Sequence, residues 1–93
     1  MYSILKLPEM IARSGYSRSK QYLLISQGLW SSPVKLGIHA VGWPSSEVDS
    51  LIAARIAGKS DDEIRGLVQK LEAARKTALD QTASIHKLSG AKQ

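Results

Sequence analysis

The stretch Leu5 to Gly28, LKLPEMIARSGYSRSKQYLLISQG, leaves the chain few folds to choose from. Pro8 suits the first turn of a helix, where a missing N–H costs nothing. Leu7, Met10 and Ile11 follow at i, i+3 and i+4, one apolar stripe on a helical period. Ser14-Gly15 interrupts that period, and glycine readily takes the positive φ that ends a helix. Ser17 is a good N-cap for a second helix opening Arg18-Ser19-Lys20. Leu24 and Ile25 continue its buried side and Gly28 marks its end. The spacing predicts one helix over roughly Pro8 to Arg13 and another over roughly Arg18 to Gln27. Two short helices around a glycine turn, the second opening on Ser, Arg, Ser and Lys, point to a helix-turn-helix.

Charge agrees with that reading. The formal net charge is +5, and its placement matters more than its size. Between Glu9 and Glu47 there is no carboxylate, while the interval holds Arg13, Arg18, Lys20, Lys35 and His39. Residues 61–93 are nearly balanced, with six Lys or Arg against five Asp or Glu. The positive field therefore belongs to the N-terminal part, where it would attract a polyanion such as double-stranded DNA.

After Gly28 the period changes to two. Val34 and Leu36 alternate with Lys35, and Val41 and Trp43 alternate with Gly42, which predicts a two-stranded hairpin turning near Gly37. A lone hairpin is marginal in water, so Trp30 and Trp43 are expected to seat it on the helices. Lys35 and His39 are expected to face away from the side of Leu36 and Val41. Met1 to Lys6 reads as an extended lead-in in which Tyr2, Ile4 and Leu5 can pack. A third helix starts at Pro44-Ser45-Ser46-Glu47 with Ser45 as its cap, buries Val48, Leu51, Ile52 and Ile56, and stops at Gly58. Ser60 and Glu63 then form a capping box. The helix that follows presents Ile64, Leu67, Val68, Leu71, Ala74 and Ala78 on one face, with Glu72 and Lys76 as an i, i+4 pair. It is expected to run to about residue 82, and Ser89 to Gln93 read as a frayed tail. The fold class is thus mainly α: a winged helix-turn-helix with a two-stranded β wing over residues 1–58, then a helical extension over 59–93.

The segments LPEMIARSGYSRSKQY, GLW, PVKLGIHAVGW and SEVDSLIAARIAG, in that order, resemble the AlpA family of small phage and prophage regulators, whose fold is similar to that of the MerR-like excisionases. The likeness covers residues 5 to about 58. It implies a DNA-binding transcription regulator or a recombination directionality factor. It places Ser17, Arg18, Ser19, Lys20 and Tyr22 on the recognition helix and Lys35 and His39 on the wing. Three positions depart from the family pattern. His39 stands where an arginine is usual, Gln21 where an aliphatic residue is usual, and Leu23 where a polar one is usual. The last two leave the facing of the second helix open. Tyr22 has two readings, a core aromatic with its hydroxyl at the rim or a phosphate ligand.

Other chemistries find little support. His39 and His86 have no second ligand at helical spacing, so no metal site is expected. Asp61-Asp62-Glu63 is better read as first-turn acids facing the helix dipole than as a catalytic cluster. No glycine-rich phosphate loop is present, and neither a cofactor nor an enzymatic activity is expected. The chain has no cysteine, which fits a reducing compartment. No apolar run nears the roughly 20 residues of a membrane span, and the N-terminus is too short in its apolar part for a secretory signal. The expected place is the cytoplasm, at the nucleoid. The competing reading is an interaction module, in which residues 61–82 pair with a second copy, with an integrase or with another protein.

Overall fold

The computed structural model describes the backbone of residues 3–91 and the side chains of residues 3–77. The expected placements of Tyr2, of Ala78, of His86 and of the last two residues lie outside them. Among the described residues seven elements follow one another: β1 (Ile4–Leu5), α1 (Leu7–Ser14), α2 (Arg18–Ser26), β2 (Val34–Lys35), β3 (Val41–Pro44), α3 (Ser45–Ile56) and α4 (Asp61–Ala91). This is a mainly α, winged helix-turn-helix arrangement.

The wing is larger than the alternation predicts. The lead-in pairs with β3, so the sheet has three antiparallel strands in the order β1-β3-β2. Leu5 stands opposite Trp43 and Val34 opposite Gly42. The lead-in carries no period of its own, and only β3 tells it where to lie. Gly42 is what allows this: a Cβ there would overlap Ile4 Cγ2 and lie 3.0 Å from the Leu5 carbonyl oxygen.

The register also corrects the expected facing of the hairpin. Lys35 is the direct partner of Val41, and cross-strand partners share a face. Lys35 and Val41 therefore lie on the side of Trp43 and Leu5, beyond the edge of the core. Leu36 and Val41 are both exposed, at 46% and 37%. The turn closes where expected, with the Leu36 and Gly37 N–H groups donating to the Ala40 carbonyl at 2.8 and 3.2 Å.

One apolar core joins all the helices. Leu5, Met10, Leu24, Leu29, Trp30, Trp43, Val48, Leu51, Ile64 and Val68 are buried in it. Both tryptophans fill it as expected, and each indole N–H is used: Trp30 donates to Met10 Sδ at 3.1 Å and Trp43 to the Ser31 carbonyl at 2.9 Å. Truncating an aromatic in such a place typically costs about 3–5 kcal/mol, more than any surface contact here supplies.

Several details of the later helices differ from expectation. α4 continues as helix to Ala91, past the expected end near residue 82 and into the tail read as frayed from Ser89. Ser45 is not the cap of α3; Pro44 holds that place without a side-chain bond, and the Ser45 N–H donates to the Ser3 carbonyl at 2.8 Å. The neighbouring lead-in takes the first of that helix end's free N–H groups, so the Ser45 side chain is not used as the cap. Ile56 is 82% exposed. Eight residues past Val48 the helix has turned by about 80°, off the buried side. In α4, Ala74 is exposed and Arg75 takes the inward place beyond Leu71. Its guanidinium grips Glu47 with two bonds, at 2.8 and 2.7 Å, and donates to the Ser32 carbonyl at 2.6 Å. Glu72 accepts the Ser32 N–H at 2.8 Å in place of the expected pairing with Lys76. The Ser60–Glu63 capping box forms as read, with reciprocal bonds of 3.1 and 3.2 Å.

Candidate nucleic-acid interface

The local sequence builds the helix-turn-helix almost unaided. Gly15 sits at φ 79° and its N–H donates to the Ile11 carbonyl at 2.9 Å, closing α1. Ser17 Oγ then accepts the Lys20 N–H at 3.2 Å, opening α2. Between them Tyr16 turns inward and meets Trp30 edge-to-face, with ring centroids 6.2 Å apart. At the far end Gly28, at φ 75°, donates to the Ile25 carbonyl and Leu29 to the Leu24 carbonyl, a paired glycine stop. From α4, the Arg65 guanidinium donates to the Gln27 carbonyl at 3.0 Å and braces that end.

Gln21 fixes the rotation of α2. It is fully buried beside Leu24, and its Oε1 accepts the Ser14 hydroxyl at 2.9 Å across the turn. A glutamine thus occupies the inward position, and the facing question left by the sequence is answered. Ser19 and Leu23 lie on the opposite side, with Arg18, Lys20 and Tyr22 along its flanks, all exposed. Tyr22 is 45% exposed, so it is not a core aromatic. Ser17 is exposed too, but its hydroxyl is occupied as the cap. Lys35 and His39 are exposed on the wing. The seven sequence-derived positions thus fall on two elements, α2 and the wing, held by one core through Leu24 and Trp43.

Electrostatics separate these cations from their neighbours. Arg13 is paired with Asp49 of α3 at 3.5 Å, Arg55 with Asp61 at 3.3 Å and Arg65 with Asp62 at 3.2 Å. Among the described residues, the side chains of Arg18, Lys20 and Lys35 have no acidic or hydrogen-bonding partner. The acid-free interval therefore leaves uncompensated charge on α2 and the wing, whereas the described arginines outside α2 are each paired with a carboxylate. Sequence reasoning overlooked Leu23 as a surface feature, although its departure from the family pattern was the signal. It also overlooked the brace from Arg75 to Glu47, for which no local pattern exists. Among the described residues no helix is long and apolar enough to cross a membrane.

A family model described as Prophage CP4-57 regulatory protein (AlpA) matches residues 3–56. The Uncharacterized protein ORF88 of Enterobacteria phage P4 is 44% identical over 55 residues, which is 59% of this chain and 62% of that protein. The match thus spans less than two thirds of that relative's length. No solved structure matches the chain.

Proposed function

Because the chain belongs to the AlpA family of prophage regulatory proteins, we propose that it regulates transcription by binding duplex DNA sequence-specifically, with the N-terminus of α2 in the major groove. The observation that carries this reading is the unpaired Arg18 and Lys20 on a helix whose rotation Gln21 and Leu24 fix. Such a helix offers base edges and phosphates a rigid, positively charged face. Ser19 and Tyr22 add hydroxyls for phosphate or base contacts, and Lys35 and His39 on the wing engage the adjoining backbone. A histidine there offers a phosphate fewer donors than an arginine would. Acting on DNA, the protein would reside at the nucleoid.

A regulatory family of this kind is not an enzyme family, and such a protein works by occupying DNA, bending it or recruiting another protein. Steering of recombination is the second reading, favoured by the reach of α4. That helix continues to Ala91, well past Arg75, the last residue seen to brace the body. A second copy or an integrase are the proposed occupants of that extension. Genomic fragments selected by the protein and then footprinted test both readings. Protection over a promoter supports transcription control, and protection confined to attachment-site arms supports directionality control. Absence of any specific footprint at physiological salt overturns the DNA reading.

A further inference from the structure

At about 100° per residue, the burial of Gln21 and Leu24 turns Ser19, Leu23 and Ser26 to the opposite side of α2. The Ser26 hydroxyl donates to the Leu23 carbonyl at 2.6 Å, so its proton is spent on its own helix. The middle of the outward face is therefore a branched apolar side chain, 47% exposed, one turn beyond Ser19 and three residues beyond the unpaired Lys20. Single exposed leucines are common on protein surfaces. This one is distinguished by its place, at the centre of the face that Arg18 and Lys20 flank. In the major groove the one apolar group on a base edge is the C5-methyl of thymine.

We propose that Leu23 is a specificity-determining residue that reads a thymine methyl in the major groove. The inference rests on the DNA-binding reading and adds to it a base identity. Cations on the same face hold the duplex, and the leucine discriminates by burying the methyl against its own. Cytosine, which lacks that methyl, leaves the leucine facing an amino group and water.

The test begins with duplexes enriched from a random pool by the full chain. In the tightest of them, each thymine is replaced in turn by deoxyuridine, which removes only the methyl. Affinities are then measured by fluorescence anisotropy. The wild-type protein should lose about fourfold at one or two thymines, the worth of one buried methyl. Leu23→Ser should bind the thymine and uracil versions equally. Wild-type binding indifferent to uracil at every position overturns the proposal without any variant, and so does a Leu23→Ser protein that keeps the full loss. So does a Leu23→Ser protein with unchanged thymine preference that no longer self-associates in sedimentation, since the leucine then serves a second copy. If the pool yields no enriched duplex, the DNA-binding reading itself falls, an outcome distinct from enrichment without methyl sensitivity.

Discussion

Gln21 holds α2 in place at some cost. Its Oε1 is bonded to Ser14, but its Nε2 is buried without a partner, as is Ser31 Oγ. A buried unpaired donor costs about 1–3 kcal/mol, whereas its neutral hydrogen bond returns about 1 kcal/mol. Gln21→Leu should therefore raise stability by about 1 kcal/mol in urea denaturation while leaving the outward face unchanged; a loss of stability would show the amide to be better satisfied than this. Glu63 is the opposite case, an exposed group that is well used. Its bonds with the Ser60 backbone and hydroxyl, aided by Lys59, hold its carboxyl below the ordinary glutamate range. A lowered folded-state value means that its contribution is fully present above the unfolded value, about 4.3. It fades as pH falls through the lowered one. Glu63→Gln should therefore make stability less dependent on pH at and below that range, measured by thermal melts. An unchanged acid dependence would remove the carboxylate from the account.

Among the elements, those written by local chemistry were legible in the sequence. The turn of α1 into α2 depends on Gly15 and Ser17, and the start of α4 on Ser60 and Glu63, all within a few residues of the groups they satisfy. The parts that were not legible depend on partners far along the chain. β1 has no period and exists because β3 accepts it. Ser45 is relieved of capping by Ser3. Glu47 and Arg75 lie 28 residues apart and meet only after α3 and α4 have packed. That pair is asymmetric, with side chains 6% exposed for Glu47 and 26% for Arg75. Removing the arginine strands a buried carboxylate, while removing the glutamate leaves a guanidinium that reaches water. Its hydrogen bond with Glu47 also holds the Arg75 guanidinium above its ordinary value. Arg75→Met should cost about 3 kcal/mol and Glu47→Ala about 2 kcal/mol, the partial exposure of Arg75 lowering the second. Equal losses in denaturant titrations would argue that the brace acts only through packing.

For the whole molecule, the candidate site was legible as a set of residues but not as a surface. The acid-free interval marked out a basic stretch, yet Arg13 within it is paired with Asp49, and only folding distinguishes it from Arg18 and Lys20. The outward turn of Leu23 likewise follows from the burial of Gln21, which a stripe of apolar letters does not reveal. What emerges is a small body that pairs the arginines of α1, α3 and α4 with carboxylates and leaves Arg18, Lys20 and Lys35 unpaired on α2 and the wing among the described residues. The most direct measurement is the affinity for a selected duplex as a function of salt, for the wild type and for Arg18→Ala with Lys20→Ala. Both side chains are exposed and unpaired, so the double variant should keep its melting temperature. The predicted result is wild-type binding that weakens steeply with salt. The double variant should bind about tenfold or more weakly, with a salt slope shallower by about one unit for each phosphate it no longer neutralises. Unchanged affinity and an unchanged slope in the double variant would contradict the assignment of this face of α2 to DNA.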